Sequence, residues 1–111
     1  MSISTHVLDT ARGRPAAGVG VSLSRRKRDG SWSVVSNAVT DADGRVKELS
    51  RGPLERGEYR LEFAAGPYFK ASGMTAFYPE VSVVFVAAEG DTNLHVPLLL
   101  SPFGYSTYKG Q

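Results

Sequence analysis

This chain has two histidines, His6 near its start and His95 near its end. Histidine is the side chain whose ordinary pKa, about 6.5, suits it to giving and taking protons near neutrality. In the run over residues 94–100, Leu94, Val96, Leu98 and Leu100 fall on one face of a strand, and His95, Pro97 and Leu99 on the other. His6 shares a face with Ser4 and Leu8 in an opening strand. If the first and last long strands are neighbours in one sheet, both histidines look outward from it together. The pattern leaves two readings open: a pair of half-exposed surface histidines, or an acid/base pair. Arg45 follows the turn Asp41-Ala42-Asp43-Gly44. That position puts a guanidinium at a rim, where its fork of donors can bind a carbonyl or carboxylate oxygen, or where it is an ordinary exposed arginine.

Other chemistries find little support. Asp41 and Asp43 have no third carboxylate at loop spacing and no closing Glu, so the segment reads as a turn and not a calcium loop. No His-x-x-x-His or Cys spacing supports zinc, and no essential metal is expected. Gly18-Val19-Gly20 lacks the third glycine and helix of a dinucleotide site, no Gly-Lys-Ser/Thr phosphate cradle occurs, and no Ser sits in a Gly-x-Ser-x-Gly elbow. No cofactor is expected. The dense basic run Arg25-Arg26-Lys27-Arg28 leads into Asp29-Gly30 with no aromatic interleaved, the pattern of a solvated hairpin tip.

The elements that must hold these residues are short β-rich runs separated by Gly, Pro, Asp and Ser clusters, as in a sandwich or barrel. Val19, Val21 and Leu23 alternate with small polar residues, and Asp29-Gly30 turns that strand into a second one over Trp32–Val39. Tyr59, Leu61 and Phe63 alternate again. Residues 81–88 and 94–100 are apolar at nearly every position and should be covered on both faces. A chain this short should cover the second face of 94–100 with another subunit or leave it lining a ligand channel. One short helix is expected over residues 67–73, between Pro67 and Gly73. Pro15, Pro53, Pro79 and Pro102 punctuate turns or strand ends, whereas Pro97 sits inside an apolar strand, where an edge, a bulge or a local irregularity beside a site would accommodate it.

The 111 residues suffice for a single domain over 1–111. Lys plus Arg exceed Asp plus Glu by only 13 to 11, too little for a nucleic-acid footprint, so a small or protein partner fits better. With no cysteine, disulfides, thiolate metal sites and a Cys nucleophile are excluded. The opening residues show no secretory signal, no apolar run approaches the roughly 20 residues of a spanning helix, and a cytoplasmic, membrane-free protein is the expectation.

The run Ser4-Thr5-His6-Val7-Leu8-Asp9-Thr10, continuing Ala11-Arg12-Gly13-Arg14-Pro15-Ala16, resembles the amino-terminal signature of 5-hydroxyisourate hydrolases, the enzymatic relatives of transthyretin. The stretch from His95-Val96-Pro97 through Ser101-Pro102-Phe103-Gly104-Tyr105-Ser106-Thr107-Tyr108 resembles the family's second signature. Phe77-Tyr78-Pro79-Glu80-Val81 matches its aromatic-Pro-Glu-Val stretch, Tyr68 to Gly73 falls at its short helix, and Asp43-Gly44-Arg45 at its active-site arginine. The resemblance spans the whole chain.

It implies an all-β, transthyretin-like sandwich of two four-stranded sheets with one short helix, assembled as a homotetramer (a dimer of dimers) around a central channel. It also implies that His6, Arg45 and His95 are catalytic, that His6, Arg45 and Tyr108 touch substrate, and that the reaction opens the cyclic amide of 5-hydroxyisourate during urate degradation. The family's closing Tyr-Arg-Gly-Ser is here Tyr108-Lys109-Gly110-Gln111, which exchanges a planar donor fork for an ammonium and a hydroxyl for a longer amide. The alternative is a non-catalytic carrier of a flat aromatic ligand. Such a carrier has no need of His6, Arg45 and His95, and burying them to no purpose would cost it desolvation energy.

Overall fold

The computed structural model describes residues 2–50 and 55–110; Pro53 and Gln111, read above as a turn residue and the last tail residue, lie outside the described residues. Among the described residues nine strands and one helix follow in order: β1 (Ser2–Asp9), β2 (Arg14–Pro15), β3 (Gly20–Arg26), β4 (Trp32–Val39), β5 (Arg45–Val46), β6 (Gly57–Phe63), α1 (Ala65–Ala71), β7 (Val81–Ala87), β8 (Asn93–Ser101) and β9 (Gly104–Thr107). They form two sheets, β2-β1-β8-β9 and β4-β3-β6-β7, with the two-residue β5 also paired to β1. The expected pair of four-stranded sheets is present, and β5 makes the first of them five-stranded.

Strict alternation builds the core. Along β1, Ile3, Thr5, Val7 and Asp9 are buried while Ser2, Ser4, His6 and Leu8 are only half-buried. Ile3 and Val7 join Leu98 and Leu100 of β8, Leu23 of β3, and Leu61 and Phe63 of β6 in one apolar cluster, and α1 adds Ala65 and Phe69. Thr5 satisfies its inward hydroxyl by donating to the Val96 carbonyl at 2.6 Å. The first hairpin forms as expected, with Asp29 accepting from the amide and hydroxyl of Ser31 and Gly30 at φ 88°. Of the basic run, Lys27 and Arg28 are at the exposed tip. Arg25 instead pairs with Glu55 at 3.0 Å, and Arg26 stacks on Trp32.

Two expectations need correction, and a third takes a specific form. The helix runs over Ala65–Ala71, two residues earlier than expected, because Pro67 lies within its first turn, where no backbone N–H is needed, and Gly73, at φ 75°, follows its end. Strand β7 is not covered on both faces in the single chain: it is the edge of its sheet and exposes Val84 and Val86. Pro97 is at neither an edge nor a bulge, since β8 lies between β1 and β9 in regular register. The expected local irregularity is a break in the β8–β9 ladder, which pairs Leu98 with Thr107 and resumes only at His95 with Gly110. A missing N–H costs no ladder bond there, and the Pro97 carbonyl still accepts from the Thr107 hydroxyl at 2.7 Å.

A buried carboxylate closes the end of β1. Asp9 accepts from the amides of Ala11 and Arg12 at 3.0 and 3.1 Å, and from the Tyr68 hydroxyl of α1 at 2.7 Å. Burial first, then the bond to Asp9 and its charge, push the Tyr68 phenol up to about 12, so it remains a donor at neutral pH. Tyr68→Phe removes a hydrogen bond to a charged, buried acceptor and should lower stability by about 1.5–3 kcal/mol at pH 7. Urea unfolding measures this, and an unchanged midpoint would show that Asp9 needs no partner from the helix.

Candidate functional site

β1 runs parallel to β8, with Ser4 opposite His95 and His6 opposite Pro97. On its other side β5 runs antiparallel, with Arg45 opposite His6. Residues directly opposite in a ladder project from the same face of the sheet. Ser4, His6, Arg45, His95 and Pro97 therefore share the outer face, while their chain neighbours Thr5, Val46 and Val96 point into the core. Same-face positions along a strand are roughly 6.6 Å apart, so both imidazoles and the guanidinium lie within the reach of one small ligand.

Each member is placed by a distinct device. His6 is carried by β1, whose buried alternate residues fix its register. Arg45 is carried by the turn before it, where the Asp41 carboxylate accepts from the amides of Asp43 and Arg45, both at 2.9 Å. The Arg45 amide is the main cause holding Asp41 below the usual carboxylate range. Gly44, at φ 74°, completes the turn; any Cβ there would run into the Val7 carbonyl, whereas the glycine lets its own carbonyl accept from the Val7 amide at 2.7 Å. His95 is held at Nδ1 by the Ser4 hydroxyl at 2.8 Å. Its backbone carbonyl accepts from the Gly110 amide at 2.7 Å.

Two electrical features distinguish the cluster. The Nε2 of His6 is buried and has no hydrogen-bond partner among the described residues. Leaving such a group unpaired costs about 1–3 kcal/mol, which a bound polar ligand would recover. His95 has its pKa held below the ordinary 6.5 by burial, then by the charge of Arg45 and by His6, so it is neutral at pH 7. A neutral imidazole, a second imidazole with an open nitrogen and an exposed guanidinium can accept a proton from water and bind an electron-rich oxygen. Among the described residues no three His, Asp or Glu side chains are grouped to hold a metal ion.

A model of the HIUase/Transthyretin family matches residues 3–110. The chain belongs to that family. The 5-hydroxyisourate hydrolase of Caulobacter vibrioides is 48% identical, over 97% of this chain and 96% of that protein. The structure of Klebsiella pneumoniae 5-hydroxyisourate hydrolase superposes with a TM-score of 0.88 at 37% identity, covering all of both chains. Sea bream transthyretin in complex with thyroxine superposes at 0.91 with 35% identity, over 99% of this chain and 95% of that one. The family fold thus accommodates both a hydrolase and a protein that takes up thyroxine.

Within this family frame the strand register groups His6, Arg45 and His95 on one face, and Tyr108 shares a cleft with His95. Tyr108 is exposed and lines, with His95, Lys109 and Thr107, a cleft of about 300 Å³ that also takes in Val83 and Phe85 of β7; neither His6 nor Arg45 lines it. Two neighbours of His95 were not singled out from sequence as site residues. Ser4 is two residues before His6 and so on its face, a signal that acquires meaning only with the β1–β8 register. Gly110 packs so closely that a Cβ would come within 2.7 Å of His95 Cδ2.

Two outcomes follow for His95. In an NMR titration its midpoint should fall below 6.5, and Arg45→Ala should move it upward, because removing a positive neighbour favours the imidazolium; no movement would mean that Arg45 is too far away to act. Gly110→Ala should displace the imidazole and shift its Cδ2–H resonance more than those of core residues, whereas an unperturbed ring would show that the tail yields instead.

Proposed function

We propose that the chain hydrolyses 5-hydroxyisourate at its cyclic amide, giving 2-oxo-4-hydroxy-4-carboxy-5-ureidoimidazoline in urate degradation. The observation that carries this reading is the outer-face cluster of His6, Arg45 and His95, with one buried imidazole nitrogen left unpaired. Neutral His95 takes a proton from water as its oxygen bonds to the amide carbonyl carbon. Arg45 stabilises the charge that develops on the carbonyl oxygen, and His6 orients the ring through its open Nε2. The C–N bond then breaks, and the proton held by His95 passes to the departing nitrogen.

The carrier reading shares the fold, as the superposition on sea bream transthyretin makes plain. The cluster favours the hydrolase, because proton transfer needs a neutral imidazole beside a group that stabilises an oxyanion, whereas holding a flat aromatic ligand needs neither. The same reading takes the working form as a homotetramer, a dimer of dimers. Its support is that β7 and β9 end their sheets as unpaired edges, that Val84 and Val86 stand exposed on β7, and that Leu8 and Leu99 are only half-covered on the face of the cluster.

The test is the ultraviolet decay of 5-hydroxyisourate generated in place by urate oxidase. The native chain should accelerate it well beyond the spontaneous rate, and Arg45→Ala should lose on the order of a hundredfold or more. Because His95 must be neutral, the rate should hold on a plateau above pH 6.5 and fall only as the pH drops below that value. An unchanged spontaneous decay would return the carrier reading to the front.

A further inference from the structure

Ser4 touches His95 from the neighbouring strand, its Oγ 2.8 Å from the ring Nδ1. The contact is not incidental to a mobile surface. Ser4 and His95 are registered partners in the parallel ladder between β1 and β8, both half-buried on the outer face. The residues on either side of Ser4, Ile3 and Thr5, are fully buried, so Ser4 cannot turn away without disturbing the core. His95 is hemmed in from the other side by the backbone of Gly110. Among the described residues Ser4 is the only hydrogen-bond partner of the ring.

A neutral histidine's two nitrogens are linked: when one donates a hydrogen bond as N–H, the other carries the lone pair. We infer that Ser4 is a positioning residue for hydrolysis, its hydroxyl oxygen accepting a hydrogen bond from Nδ1–H of His95 and so leaving the Nε2 lone pair to take the proton from water. This rests on the hydrolase reading above and deepens it. The proton bookkeeping closes with this partner. Water gives one proton to Nε2, the resulting imidazolium keeps Nδ1–H on the Ser4 oxygen, and Nε2 later gives its proton to the departing nitrogen. The Nδ1 proton stays in place throughout. A carboxylate in the place of Ser4 would accept from Nδ1–H in the same way but would also stabilise the imidazolium. A neutral hydroxyl orients the ring without that effect, so His95 remains unprotonated at neutral pH. One strand thus supplies both His6 and, two residues earlier, the group that sets the other histidine.

The experiment uses the full chain, native and with Ser4→Ala or Ser4→Thr. Long-range ¹H–¹⁵N spectra at pH 8 should show His95 of the native chain protonated at Nδ1 and bare at Nε2. Ser4→Ala should lower kcat about 10- to 100-fold, the usual scale for losing a group that orients a functional histidine, with KM within about twofold of native. Ser4→Thr, which keeps the hydroxyl and suits a strand, should restore most of the rate. A native spectrum with the proton on Nε2, a Ser4→Ala enzyme of undiminished kcat, or a loss that threonine does not rescue would each overturn the role of Ser4. A native chain that leaves spontaneous decay unchanged refutes the hydrolase reading itself and Ser4's role with it. Native activity with an indifferent Ser4→Ala variant refutes only the latter.

Discussion

Strands β1 and β8 come from opposite ends of the chain and run parallel, so no hairpin can join them, and nearly the whole sequence lies between Ser4 and His95. Eight registered pairs, from Ser2 with Asn93 to Asp9 with Leu100, hold the two together. Closing so long a loop is costly in entropy, though the cost rises only slowly with length, by about 0.6 kcal/mol for each doubling. What offsets it is burial on the inner face: Ile3 and Val7 of β1 and Leu94, Val96, Leu98 and Leu100 of β8 are all in the core. A slip of one residue in either strand would turn that strand's apolar set to solvent and its histidine inward. The hydrophobic core and the outer-face cluster are therefore fixed by the same register.

The cluster makes modest demands on the fold because its charges are few and its partners are local. Arg45 stays exposed at a rim, so its guanidinium remains solvated. His95 is neutral, and its ring is held by a hydroxyl, a glycine backbone and the strand beneath it. The break in the ladder at Pro97 lets the tail run beside β8 without bonding to it until Gly110. The one deeply buried carboxylate among the described residues, Asp9, is kept at the far end of β1, where two backbone amides and Tyr68 neutralise its burial cost.

Much of this was legible in the chain. The alternation around His6 and His95 gave each its face, the Asp29-Gly30 turn gave the first hairpin, and the two terminal signatures with the Asp43-Gly44-Arg45 match gave the family and the grouping of His6, Arg45 and His95. What escaped depends on which strands are neighbours. Residues 81–88 read as doubly covered because they are apolar at nearly every position, but β7 ends its sheet and leaves Val84 and Val86 exposed in the single chain. Pro97 read as a local irregularity, and the ladder gap there is one, but composition did not show that an interior strand would carry it. Ser4 looked like any small polar residue on an outer face until its register against β8 was known. Asp9, the last inward position of β1, finds its partner in a helix 59 residues away.

The most direct measurement is a double-mutant cycle on 5-hydroxyisourate decay with His6→Ala, His95→Ala and the double variant. Two histidines brought into one site by the β1–β8 register act on the same transition state, so the double variant should lose little more in kcat/KM than the worse single one. Losses that multiply would mean that the two act independently, and would contradict a shared site.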